Sequence, residues 1–144
     1  MRYLARPRAA TGFCQLDERI RQMKSGTEVC DTVIVEDDAA CRSLLDKFLR
    51  VRGHVTICAG SLAEARGMLD GDCKRVILDL ALPDGQGTEL LRQIREQNLP
   101  IKVAITTGVQ DRVLMAEVSQ LQPDAFFTKP VNLIELMGWV KSVA

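Results

Sequence analysis

Acidic residues stand at the ends of two short β-branched runs: VIVEDD places Glu36, Asp37 and Asp38 after the first, and RVILDLALPDGQG places Asp79 after another. Carboxylates brought into one small volume repel, by roughly 4 kcal/mol for two unit charges ~4 Å apart at an effective dielectric near 20. Lys129, in FFTKP, offers one compensating charge. Glu36, Asp37 and Asp79 set against Lys129 leave a surplus of two negative charges, which a single divalent cation neutralises. Hard oxygen donors from one or two carboxylates, completed by waters and a phosphate, are the usual shell of Mg²⁺. The segment ITTG adds the hydroxyls of Thr106 and Thr107 beside Gly108, a residue with no side chain, where a phosphoryl oxygen could accept a hydrogen bond. The chemistry this set suits is phosphoryl transfer to a carboxylate nucleophile.

Each residue also has a plainer reading. Asp79 alone could cap the turn that follows it, but a cap needs no acidic partners, lysine or threonine on neighbouring strands. Asp38 is expected to cap the first helix. His54, the only histidine, follows Gly53 at a turn and is expected to face solvent; one histidine cannot build a zinc site. Phe126 and Phe127 alternate, so one faces each side of the last strand. Leu133, Leu136, Trp139 and Val140 have helical spacing and read as core or as a partner-facing apolar surface.

These residues need a scaffold that gathers strand ends. Short apolar runs predict strands over 32–35, 55–58, 75–80, 101–106 and 125–128, each too brief for a buried helix. Helical periodicity predicts helices over 39–52, 62–69, 88–97, 111–121 and 132–143. Gly53 ends the first, and Ser61 with Glu64 is expected to open the second as a capping box. Strands alternating with helices imply βαβ units, right-handed crossovers and a parallel sheet, an α/β three-layer sandwich. In such sheets ligands bind beyond the carboxyl ends of the strands, where strand order reverses.

The chain has 144 residues, enough for one domain with its own core. Nineteen basic residues balance nineteen acidic ones, which argues against a broad nucleic-acid surface. Cys14, Cys30, Cys41, Cys58 and Cys73 are odd in number and form no C-x-x-C pair, so reduced thiols and a cytoplasmic location are expected. No apolar run has the length of a membrane span, and none marks a secretory signal. Residues 1–30, rich in arginine and aperiodic, read as an N-terminal extension, with residues 31–144 as the folded domain. Met23 opens a short leader, so a natural start there is an alternative to Met1. No output domain follows the last helix, which suggests a stand-alone unit or a fragment.

The order acidic pair, DLALPDGQG, ITTG, KP resembles the response-regulator receiver family over residues 31–144. The resemblance implies a flavodoxin-like fold with strand order 2-1-3-4-5 and five helices. It implies that Asp79 is the phosphoacceptor. Glu36, Asp37, Asp79 and the backbone carbonyl of Ala81 would hold Mg²⁺ or Mn²⁺, and Lys129 would contact a phosphoryl oxygen. Thr107, rather than Thr106, matches the switch hydroxyl and Phe126 the switch aromatic. Gly87 matches the turn opening the third helix, and the Lys129–Pro130 bond matches one that is usually cis. The implied partners are a sensor histidine kinase or histidine phosphotransfer protein and a downstream protein target, with neither nucleic acid nor membrane bound by this chain. Ala81 and Val109 depart toward apolar residues at positions that influence how water reaches the acyl phosphate, so a long-lived phosphorylated form is expected. The rivals are a phosphohydrolase with an aspartyl-phosphate intermediate, which would place a second aspartate at position 81, and a receiver-like module that is never phosphorylated.

Overall fold

The computed structural model describes residues 30–69, 72–108 and 112–143. Five short, mostly apolar segments form one parallel sheet: β1 (Thr32–Val35), β2 (Thr56–Ala59), β3 (Arg75–Asp79), β4 (Lys102–Thr107) and β5 (Ala125–Thr128), ordered β2-β1-β3-β4-β5. Register pairs Thr32 with both Thr56 and Arg75, Asp79 with Thr106, and Thr107 with Thr128. Order reverses beside β1 and β3, so the acidic ends of these two neighbours meet, as the flavodoxin-like expectation requires.

Five helices cover the sheet: α1 (Ala39–Val51), α2 (Leu62–Arg66), α3 (Gly87–Glu96), α4 (Arg112–Leu121) and α5 (Leu133–Ser142). Strand alternation divides the core. Val33, Val35, Val76, Leu78, Val103 and Ile105 face α2, α3 and α4, where Leu62, Leu90, Leu91, Ile94 and Val118 pack. Ile34, Ile77 and Cys58 face the other way, against Leu45 and Leu49 of α1 and Leu136, Met137 and Val140 of α5. Fully burying one such aliphatic side chain contributes roughly 2 kcal/mol, so both layers fasten the central strands and fix where these end.

Element boundaries differ from expectation in instructive ways. β2, β3 and β4 end one residue from the predicted limits. α1 stops at Val51, where Arg52 caps it and Gly53 takes φ 93°. α2 spans five residues rather than eight because the chain leaves the helix at Gly67. Its capping box is incomplete: Ser61 accepts from the Glu64 N–H at 3.2 Å, but Glu64 Oε1 accepts from the N–H of Gly60 at 2.7 Å rather than from Ser61. α3 begins one residue early, at Gly87. Asp111, the predicted start of α4, lies outside the described residues, as do Val109, Cys14 and all of the expected extension but Cys30.

Two features were not expected. A two-rung antiparallel hairpin, Ala81–Leu82 with Gly85–Gln86, follows β3. Its Asp84 carboxylate accepts the N–H groups of Leu62 at 2.9 Å and Ala63 at 3.1 Å, fastening the hairpin to the start of α2. The hydrogen bond from Leu62 leads the causes that hold the Asp84 carboxyl below its ordinary pKa. Arg75, only 2% exposed, donates from Nη1 to Thr32 Oγ1 at 2.9 Å and Asp31 Oδ1 at 3.2 Å, at the sheet end away from Asp79. His54 joins this cluster rather than facing solvent: its Nδ1 lies 3.8 Å from Asp31 Oδ2 and its side chain is 17% exposed.

Candidate functional site

β1 delivers Glu36 one residue past its last rung, and Glu36 N–H still donates to Ala59 O at 2.9 Å. β3 delivers Asp79 as its last residue. Both carboxylates are buried, whereas Asp37 is exposed. Glu36, Asp37 and Asp79 each present a carboxylate oxygen within 4.8 Å of the others. Asp38 caps α1, its Oδ1 accepting the Cys41 N–H at 3.0 Å, and its own N–H donates to Glu36 Oε2 at 3.2 Å.

Lys129 arrives from the end of β5. Its Nζ donates to Glu36 Oε1 at 2.8 Å and to Asp79 Oδ2 at 3.0 Å, so one ammonium bridges two carboxylates. Burial opposes its charge, but the hydrogen bonds to Glu36 and Asp79 outweigh burial and raise its pKa to about 12. Glu36 moves in the other sense for a carboxylate: burial pushes its pKa up, the bond from Lys129 opposes this, and repulsion by Asp79 adds to it. The site is therefore short of positive charge. Three oxygen-donor carboxylates and a deficit of cations fit a divalent metal of the Mg²⁺ class.

The second oxygen of Asp79, Oδ1, accepts from the backbone N–H of Ala81 at 3.2 Å. Thr106, the register partner of Asp79, and Thr107, one residue further along β4, are both buried, and Thr107 O accepts the Lys129 N–H at 2.9 Å. The Lys129–Pro130 peptide bond is cis. Gly87 explains itself by contact: a Cβ there would lie 2.3 Å from the Asp79 carbonyl oxygen, and its N–H donates to Leu80 O at 2.8 Å. Phe126 is 41% exposed beside Met115 and Pro123, while Phe127 packs with Leu136 and Val140. Beside Lys129, an apolar cavity of about 140 Å³ opens between Cys41, Leu44, Leu45, Pro130 and Leu133, with Leu44 56% exposed.

Arg42 is a neighbour that sequence reasoning passed over. One turn into α1, it donates from Nη1 to the backbone oxygen of Glu36 at 2.8 Å. A single arginine in an amphipathic helix carries no signal of such a contact, because the contact depends on where β1 turns.

The strand order, the clustered carboxylates and the bridging lysine set the site beyond the carboxyl ends of the sheet, and the sequence model for the response regulator receiver domain matches residues 32–141. The chain belongs to this receiver family. The transcriptional regulatory protein PmrA of Pectobacterium parmentieri is 36% identical over 115 residues, covering 77% of this chain and 50% of that protein. AruR of Pseudomonas aeruginosa, also a transcriptional regulatory protein, is 28% identical over 118 residues, covering 77% of this chain and 48% of that protein. This receiver chain thus spans about half the length of the curated relatives it matches. Among solved structures, a CheY-like receiver domain protein from Methanospirillum hungatei superposes with a TM-score of 0.73 at 25% identity, covering 78% of this chain and 91% of that one. A response regulator receiver protein from Pseudomonas putida gives 0.72 at 27% identity, covering 78% and 96%. A receiver domain is the phosphoacceptor module of two-component signalling. Among the described residues, no helix is long and apolar enough to cross a membrane.

Proposed function

We propose that Asp79 is the phosphoacceptor of this receiver, taking a phosphoryl group from the phosphohistidine of a sensor kinase or phosphotransfer protein. The observation that carries this reading is the bridge of Lys129 between Glu36 and Asp79, in a cluster of three carboxylates. An Asp79 carboxylate oxygen forms the new bond to phosphorus as the bond to the donor histidine nitrogen breaks, and the electron pair leaves with that nitrogen. Lys129, with its pKa near 12, stays charged throughout and compensates charge on the phosphoryl oxygens rather than donating a proton. Glu36, Asp37, Asp79 and the Ala81 carbonyl would hold Mg²⁺ or Mn²⁺, which supplies further charge neutralisation. Thr107 offers its hydroxyl to the new phosphoryl group, and Phe126 follows it as the switch aromatic.

The apolar cavity beside Lys129, with half-exposed Leu44 at its rim, gives a phosphodonor an apolar foothold next to the carboxylates. Phosphorylation then reorganises the face formed by α4, β5 and α5 and alters binding of a downstream protein. Catalysis is confined to the chain's own phosphorylation and dephosphorylation. Ala81 and Val109 carry no polar group to orient a water, so the acyl phosphate is comparatively long-lived. A cytoplasmic site of action and an N-terminal extension ahead of a receiver spanning 31–144 complete the reading. The test is incubation with acetyl phosphate, with and without Mg²⁺, comparing wild type with Asp79→Asn. Labelling of the wild type alone, dependent on the cation, is expected; equal labelling of both proteins overturns the assignment.

A further inference from the structure

We propose that Arg42 is a positioning residue for the divalent-cation site, held in place by the absence of a side chain at Gly60. The inference rests on the reading of Glu36, Asp37 and Asp79 as the cation's carboxylates. Consecutive residues of an extended strand point to opposite faces, so Glu36 and Asp37 can offer oxygens to one volume only if the chain turns between them. Glu36 sits at that turn: its N–H stays bonded to Ala59 O at 2.9 Å, whereas its carbonyl leaves the ladder and accepts from Arg42 Nη1 at 2.8 Å. The peptide entering Glu36 is therefore tied to β2 through the Glu36 N–H, and the peptide linking the two acidic residues is held by a guanidinium of α1 through the Glu36 carbonyl. A hydrogen bond with a charged donor is stronger and shorter than a neutral one, which suits it to fixing that peptide.

Gly60, the first residue past β2, supplies an independent observation. A Cβ at this position would lie 2.8 Å from Arg42 Nη1, while its next neighbours, Glu64 Oε1 at 3.7 Å and Arg42 Cζ at 3.8 Å, are at ordinary contact distances. The one group that an added Cβ would crowd here is the end of the Arg42 side chain. That end is flexible, so an added methyl displaces the guanidinium without disturbing the backbone.

Electrostatics gives the proposal a sign that no plain charge effect reproduces. Deleting a cation beside a metal site should by itself tighten cation binding. Loss of a group that orients metal ligands weakens it, commonly by about 10- to 100-fold. Calorimetric titration of metal-free protein with Mn²⁺ is the test, run on wild type, Arg42→Ala, Gly60→Ala and the double variant, with thermal melts confirming that each is folded. Arg42→Ala and Gly60→Ala should each raise the Mn²⁺ dissociation constant by about 10-fold. The double variant should bind no more weakly than Arg42→Ala, because Gly60 acts only through Arg42. Wild-type or tighter binding by a folded Arg42→Ala overturns the inference, as does a Gly60→Ala loss that persists undiminished without Arg42. If wild type itself neither binds Mn²⁺ nor is labelled by acetyl phosphate, the underlying site reading falls; if it does both and Arg42→Ala binds equally well, only the role of Arg42 falls.

Discussion

Gly87 lies against the backbone of Asp79 so closely that a methyl group there would sit 2.3 Å from the Asp79 carbonyl oxygen and 3.1 Å from Leu80 Cα. Both neighbours are backbone in the middle of the fold, so neither can swing aside. Gly87→Ala is expected to cost about 2 kcal/mol, in the range of an overpacked core, and to slow labelling by acetyl phosphate because the acceptor itself shifts. Denaturant melts and a labelling time course check both; an alanine variant of wild-type stability contradicts the contact.

Asp79→Asn should abolish labelling while leaving the fold intact. In metal-free buffer the variant should be more stable than wild type by about 1 kcal/mol, since one of two buried like charges is gone and Lys129 keeps Glu36 as partner. Thermal unfolding with a chelator reads this directly, and a marked loss of stability counts against the charge deficit.

Removing the opposite charge should act in the opposite direction. The Lys129 side chain is 27% exposed, so the full penalty of a broken buried pair is discounted by solvent, and Lys129→Met should destabilise the metal-free protein by about 2 kcal/mol. Saturating Mg²⁺ should recover most of that loss, which melts of the variant with and without the ion measure.

Glu36 gives a pH signature. Its pKa stands above the ordinary 4.5, chiefly through burial and partly through Asp79. A carboxyl that holds its proton more firmly when folded contributes stability that is complete below the unfolded pKa and lost as pH rises through the folded one. The difference in stability between metal-free wild type and Glu36→Gln should therefore shift against wild type as pH climbs above 4.5. Excess Mg²⁺ should reverse the trend, because metal binds the ionised carboxylates. A difference independent of pH refutes the assignment to Glu36.

Much of the site was legible because its residues close predicted strands, and parallel topology sends every such end to one side. β1 and β5 were placed to the residue, and Glu36, Asp79 and Lys129 meet as their order along the chain implied. What escaped was tertiary in origin. The hairpin of two-residue strands is too short to carry a period, and Arg75 reads as a strand-opening charge until its partners Asp31 and Thr32 are seen. Arg42 looked like any polar helix residue, and His54 like a turn residue, because nothing local announces Glu36 O or Asp31 as neighbours. The length of α2 was overestimated for a similar reason: the periodicity persists to Leu69 although the backbone turns out of the helix at Gly67.

Lys129 roots on the edge strand β5 yet its ammonium rests on carboxylates of β1 and β3, across the width of β4. The chain has thus strung a cord from the rim of the sheet to its middle, fastened at the inner end by two charged hydrogen bonds. On the proposed reading, a phosphoryl group on Asp79 would change the charge that holds the inner end of that cord, whose outer end is rooted just past the strand carrying exposed Phe126.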